Sequence, residues 1–302
     1  MAMADGLGLA PRVINLRLHH PWDWLAPRLR IAARQAMEDR NGLPIAAPWP
    51  DIAIGCGRRA ALLTRCLRQW SGGRCFTVQI LDPRIAAAQF DAVVAPQHDR
   101  LCDPNVIETI GALNPIDETW LEQGRIRFAS LGELPAPRTA VLIGASNASV
   151  TLDDVWFEAL LDAVTRQHEL AGGSFLVSTS RRTPRQRVED LRKAFSRWPG
   201  VFWGGSQDGE NPYAGMLALA DRIIVSADSV NMVSEACASG KPVHAFAIEP
   251  VRGKLADFHE ALREGGHLVP LQASASHSTP PLRELAAVAA RITAIWRSRR
   301  PR

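Results

Sequence analysis

The chain has 302 residues, 46% hydrophobic and 22% charged, as expected of a soluble globular protein long enough for two domains and not of a disordered chain. Its net charge of +4 comes almost wholly from arginine, a modest excess that fits phosphate-bearing ligands or an anionic membrane surface, while the lack of a basic stripe interleaved with aromatics or of a nucleic-acid module argues against nucleic acid as a partner. No run approaches the ~20 apolar residues of a transmembrane helix, and "MAMADGLGLAPR" lacks the basic-then-apolar order of a signal peptide.

In chain order, the first half offers candidate strands at 12–18 ("RVINLRL"), 51–55, 75–80, 91–95 and 105–109, with helices at about 57–70 and 116–130. "GELPAPR" (132–138) combines glycine and prolines and reads as a linker. The second half runs strand 139–145, helix 152–169, strand 174–180, helix 184–197 and strand 201–203. Next come a helix near 212–220, a strand at 222–226, a small-residue helix carrying Glu235, a strand at 242–248 and an amphipathic stretch near 254–264. A Ser/Ala/Pro segment (272–281) precedes a last helix, "PLRELAAVAARITAIWRSRR". Strand and helix alternate almost throughout, which predicts parallel sheets covered by helices. The expected fold class is α/β, with two Rossmann-like domains laid out as in the GT-B glycosyltransferase fold. The first domain would be 1–134 with the helix 282–299 packing back, and the second, nucleotide-binding domain 138–271. Ligands in such sheets bind beyond the carboxyl ends of the strands, here in the cleft between the halves.

Five cysteines (Cys56, Cys66, Cys75, Cys102 and Cys237) form no Cys-x-x-Cys pair and are odd in number, a pattern of reduced thiols in a cytosolic protein. His19, His20, His98 and His244 have no ligand spacing, so neither a metal nor a cofactor is expected.

Three strands of the second half end in small polar residues. Gly144, Ser146 and Asn147 follow the first, where backbone N–H groups and a helix dipole suit a phosphate or simply start a helix. Ser180, Arg181, Arg182 and Thr183 follow the second. Pro184 fits a first helical position, so two cations stand just before a helix N-terminus, an arrangement that gains from an anion between them. A solvated charged loop is the alternative. Ser226, Asp228 and Ser229 follow the third, and each is a candidate N-cap. Glu235 lies on a helix otherwise built from Met232, Val233, Ala236 and Cys237; a carboxylate on a buried helix needs a partner, and a ribose offers two hydroxyls. In the first half, His98 and Asp99 follow a strand, a base with an orienting carboxylate or a plain loop pair. Gly57, Arg58, Arg59, Asp82 and Arg84 are acceptor-side candidates on the same argument. "HHPWDWLAPRLR" (19–30) and "WRSRRPR" (296–302) combine tryptophan with arginine, which suits either a membrane interface or packed tryptophans beside a solvated basic tail.

The blocks "ADRIIVSADSVNMVSEACASGKPV", "NPYAGMLALAD" and "FLVSTSRRTP", with "PWPDIAIGCGRR", "FTVQILDPR", "FDAVVAPQHD" and "NVIETIGALN", resemble the mitochondrial-fission family called "elongated mitochondria" in plants. The likeness runs from about residue 6 to residue 296. A more remote similarity links residues 226–242 to the nucleotide-sugar site of the lipid-linked peptidoglycan N-acetylglucosaminyltransferase, and places Glu235 at that enzyme's ribose-binding glutamate. The Asp228-Ser229-x-x-Met232 pattern is also similar to heptosyltransferases.

These resemblances imply a GT-B-like protein that binds a nucleotide or nucleotide-sugar, a metal-independent glycosyltransferase acting on a lipid-linked or other hydroxyl acceptor. Tyr213 would line the base pocket, Asn211 would belong to the same nucleotide site, and His98, placed after its strand, would act as base. They equally allow a non-catalytic interaction protein of the kind that recruits a fission dynamin to mitochondria. The expected location is the cytoplasm, peripheral on the inner membrane surface, or the mitochondrial outer surface in the plant relatives. Family members begin with a further strand and a Gly-rich, Gln-containing loop. "ADGLGLAPRVINLRL" looks like the tail of the following helix and the next strand, so that strand and loop are expected to be missing from this sequence.

Overall fold

The computed structural model describes residues 1–272 and 277–299, so residues 273–276 of the Ser/Ala/Pro segment and 300–302 of the basic tail lie outside the described residues. Contacts divide the chain into two compact units, residues 1–109 with 284–302, and residues 110–283. Residues 110–134 therefore pack with the second unit.

The first unit opens with helix α1 (Ala2–Gly6), strand β1 (Arg17–Leu18), helix α2 (Trp22–Leu25) and strand β2 (Met37–Glu38). Its main sheet comprises β3 (Ile52–Cys56), β4 (Phe76–Ile80), β5 (Ala92–Pro96) and β6 (Val106–Thr109), all parallel and in that order, with α3 (Gly57–Trp70) crossing between β3 and β4. The extended strand expected at 12–18 shrinks to Arg17–Leu18, which pairs antiparallel with Met37–Glu38. The alternation that suggested it is genuine: Ile14, Leu16 and Leu18 face the apolar cluster around Leu62, Leu63 and Cys66 while Val13, Asn15 and Arg17 face solvent. Period-two burial on one side needs no neighbouring strand, and residues 12–16 have none. In α3, Ala61, Leu62, Cys66 and the adjacent Leu63 and Leu67 form the buried stripe that seats the helix on the sheet.

The second unit contains α4 (Glu118–Arg127), β7 (Arg138–Ile143), α5 (Asp154–Ala171), β8 (Ser174–Thr179), α6 (Arg185–Phe195) and β9 (Gly200–Trp203). These are followed by α7 (Tyr213–Leu219), β10 (Arg222–Ser226), α8 (Val230–Ala238), β11 (Val243–Phe246) and α9 (Lys254–Glu264). Five parallel strands lie in the order β11-β10-β7-β8-β9. Strands β7 and β8 are buried on both faces, which is why they read as continuous apolar runs. The chain moves outward from β7 to β9 and then returns to the other side of β7 for β10. Strand order reverses there, and such a reversal opens a crevice beyond the carboxyl ends of β7 and β10.

Helix α10 (Leu285–Arg299) belongs to the first unit. Leu285 and Ala289 pack on Gly6 of α1, and the guanidinium of Arg299 pairs with buried Asp91 at the start of β5. Asp91 also accepts the Thr77 N–H (2.7 Å), the Thr77 hydroxyl (3.0 Å) and Arg68 Nε (3.1 Å). No helix among the described residues is long and apolar enough to cross a membrane.

Candidate functional site

Within the second unit, the loops after β7, β8 and β10 meet at the strand-order reversal and are tied together by one carboxylate. Asp228 is buried, with no side-chain surface exposed. Its Oδ1 accepts the Ser226 hydroxyl at 2.6 Å and its Oδ2 accepts the Ala145 N–H at 3.2 Å, while Ser226 Oγ accepts the Gly144 N–H at 2.8 Å. Arg182 brings a guanidinium nitrogen to 3.8 Å of Asp228 Oδ2 from the β8 loop. Burial pushes the Asp228 carboxyl above the usual range, against the pull of the Ser226 hydroxyl, the Ala145 amide and the Arg182 charge. The close approach requires a glycine at 144, because a Cβ there would collide with both carboxylate oxygens.

The other polar groups complete the scaffold. Thr183 Oγ1 donates to the Gly144 carbonyl at 2.7 Å and lies 3.1 Å from Ser180 Oγ, which in turn accepts the Arg182 N–H. Asn147 donates its amide to the Asp228 carbonyl at 2.8 Å and accepts the N–H groups of Ser149 and Val150. Ser146 Oγ accepts the Leu152 N–H, and Ser229 is the N-cap of α8, accepting the Met232 N–H at 3.4 Å. Ser146, Asn147, Arg181 and Arg182 are exposed at this edge.

Glu235 projects from α8 toward α7, where the Tyr213 hydroxyl donates to its Oε2 at 2.8 Å. Burial raises the Glu235 carboxyl, and the Tyr213 hydrogen bond pulls the other way. Burial, the Glu235 charge and that same hydrogen bond hold the Tyr213 phenol far above its ordinary range, so the proton stays on tyrosine. Asn211 Oδ1, two residues before α7, accepts the Tyr213 N–H at 3.0 Å, while Pro212 is the N-cap. Helix α7 is held close to α4: a Cβ on Gly124 would lie 2.6 Å from the Ala214 carbonyl oxygen.

His259 of α9 supports the β10 loop from beneath. It is buried, and its Nε2–H donates to the Ala227 carbonyl at 3.0 Å. Burial, outweighing that hydrogen bond, depresses its pKa from 6.5 to about 4. Because the folded value lies below the unfolded one, the neutral ring contributes stability that is complete above pH 6.5 and lost as pH falls toward 4. The loss amounts to at most about 3 kcal/mol. Asp228 and Glu235, whose values are raised, work in the opposite sense, since the folded state takes up their protons more readily. We expect His259→Gln, which keeps an N–H for Ala227, to flatten the acid side of the stability profile measured by urea unfolding between pH 6.5 and 4. A variant that tracks the wild type across that range would remove His259 as the cause. The sequence offered no sign of this histidine's position beyond its place in the apolar stretch "ADFHEAL".

In the first unit, Gly57 opens α3 with φ +77° and open space around it. Arg58 donates to the Trp24 carbonyl at 3.1 Å, and Arg59 lies 3.9 Å from Asp23. Asp82 accepts the Arg84 N–H at 2.7 Å in a tight turn after β4, with Arg84 in the left-handed region. His98 and Asp99 share a single 3-10 turn, Gln97–Asp99, after β5, and both are half-buried. Among the described residues no group of three or more His, Cys, Asp or Glu side chains is arranged to hold a metal ion.

A solved structure similar to this chain is the UDP-GlcNAc 2-epimerase of Methanocaldococcus jannaschii, with a TM-score of 0.52 at 13% identity, covering 82% of this chain and 77% of that one. The likeness shows the fold, α/β with two Rossmann-like units of GT-B type. The chain is 30% identical over 272 residues to the mitochondrial fission protein ELM1 of Arabidopsis thaliana, covering 80% of this chain and 63% of the relative. It is also 30% identical over 238 residues to the uncharacterized protein RP120 of Rickettsia prowazekii (strain Madrid E), covering 65% and 64%. The chain thus spans a little under two thirds of the length of either relative. A family model described as mitochondrial fission ELM1 matches residues 1–296, and the chain belongs to that family.

Proposed function

We propose that the chain binds a nucleotide or nucleotide-sugar at the carboxyl ends of β7, β8 and β10 and acts as a metal-independent glycosyltransferase. Support comes from the meeting of three polar loops at the strand-order reversal, with Arg181 and Arg182 exposed beside them and Glu235 half-buried next to Tyr213. The fold neighbour is named for its action on a UDP-sugar. In this reading the donor phosphates lie against Ser146, Asn147, Arg181 and Arg182, whose cations take up charge on the leaving diphosphate. Glu235 Oε2 already accepts from Tyr213, so Oε1 is the oxygen offered to the ribose, and Tyr213 with Asn211 borders the base. His98, with Asp99 beside it, takes the proton of the acceptor hydroxyl. The acceptor, lipid-linked or otherwise, lies against Gly57, Arg58, Arg59, Asp82 and Arg84, and the protein sits peripherally on a membrane.

A specific observation favours a second reading, a non-catalytic interaction protein. The amides of Gly144 and Ala145 are already paired with Ser226 and Asp228, so those two donors are spent within the protein.

Thermal unfolding with a panel of nucleoside diphosphates and nucleotide-sugars separates the two. One nucleotide at about 100 times its dissociation constant is expected to add about 2.7 kcal/mol of stability. Glu235→Ala and Glu235→Gln should both abolish that shift, the second while keeping an acceptor for the Tyr213 hydroxyl. No shift with any member of the panel, up to millimolar concentrations, would leave the interaction reading standing.

A further inference from the structure

Residues 19–34 of the first unit, which include α2, form a shelf laid along α3. Its main chain is pinned at several points: Arg58 donates to the Trp24 carbonyl (3.1 Å), Arg65 to the Pro27 carbonyl (3.1 Å) and Trp22 Nε1 to the Ile31 carbonyl (2.8 Å). Arg30 reaches Gln69 of α3 at 3.2 Å. Trp22, Ala26 and Ala33 turn inward to the core. A segment held this firmly nevertheless presents three large apolar side chains outward within eight residues: Trp24 is 69% exposed, Leu25 49% and Ile31 80%.

The exposed charge within residues 19–34 is cationic, and a carboxylate outside the segment, Glu38, lies against His19 at 3.4 Å. Arg28, Arg30 and Arg58 are exposed there, and the one carboxylate among residues 19–34, Asp23, is buried against His20 (2.7 Å) and near Arg59 (3.9 Å). Scattered exposed apolar residues are ordinary, but a firmly held segment that presents tryptophan and aliphatic groups together with exposed arginines matches the boundary between lipid headgroups and acyl chains.

We propose that this shelf docks on an anionic lipid bilayer, with Trp24, Leu25 and Ile31 entering the interface and Arg28, Arg30 and Arg58 facing lipid phosphates. It deepens the peripheral-membrane part of the proposed function and does not depend on the nucleotide site, so either can fail alone. The full chain would be sedimented with sucrose-loaded vesicles of phosphatidylcholine, with and without phosphatidylglycerol, and compared with Trp24→Ser/Ile31→Ser. Wild type is expected to bind the anionic vesicles about tenfold or more better than the neutral ones, less so at high salt, and the double variant to lose about tenfold or more of that binding. An unchanged melting temperature would show that the variant is folded. Absence of wild-type binding to the anionic vesicles, or equal binding by the variant, would overturn the proposal. So would self-association in ultracentrifugation without vesicles that the variant abolishes, since the shelf would then meet a second copy of the chain.

Discussion

Gly144→Ala is expected to lower stability by about 3 kcal/mol and, if the loops bind a nucleotide, to remove the response to it. The added methyl group occupies the space of the Asp228 carboxylate, and neither can withdraw cheaply. If Asp228 moves, Ala145 loses its acceptor and Ser226 its partner in a site without water contact. If the β7 end moves, Gly144 loses Ser226 and Thr183 together. The measurement is a urea unfolding curve whose midpoint falls at constant slope. A double-mutant cycle supplies the control: in an Asp228→Ala background, Gly144→Ala should cost well under half as much, because the clash has gone. Full additivity would show that the carboxylate is not what constrains residue 144.

The second large effect is expected in the first unit. Asp91→Ala removes a buried acceptor from the Thr77 N–H and hydroxyl and from two guanidinium groups, Arg68 and Arg299. Breaking a buried, hydrogen-bonded ion cluster from the carboxylate side costs about 3 to 5 kcal/mol. Arg299→Ala should cost only about 1 kcal/mol, since Arg68 remains and the lost side chain is half exposed. Limited trypsinolysis gives an independent readout, because α10 loses its last-turn anchor in both variants and should be cleaved earlier than in wild type. Equal loss of stability in the two variants would mean that the helix contact, and not the buried cluster, carries the effect.

Much of the fold is legible in the sequence because parallel strands buried on both faces announce themselves as short apolar runs. "TAVLIGA" and "SFLVSTS" become β7 and β8 within two residues of their expected ends. "RVINLRL" carries as clear an alternation and yields only two paired residues, because alternation reports burial on one side and not the presence of a partner strand. At the site, local sequence points to Ser226, Asp228 and Ser229 as equal candidates for capping α8. The structure gives the cap to Ser229 and buries Asp228 against Gly144, a contact between distant parts of the chain that no local pattern encodes. Glu235 is a milder case. A carboxylate on an apolar helix demands a partner, and that much can be read; that the partner is Tyr213, on the preceding helix, depends on how α7 packs against α4 through Gly124.

The first unit is discontinuous in the chain, and this bears on how it is made. Its parallel sheet is finished by Thr109, yet α10, which covers Gly6 and reaches Asp91, is synthesised only after roughly 170 further residues. At about 5–20 residues per second, the ribosome takes roughly 10 to 30 seconds to cover that interval. Throughout it, the nascent sheet holds Asp91 without Arg299 and leaves the surface intended for α10 open to whatever is nearby. The intervening unit is continuous in the chain, so all of it is synthesised before α10. Chaperone dependence during translation should therefore fall on the amino-terminal half, although its strands leave the ribosome earliest.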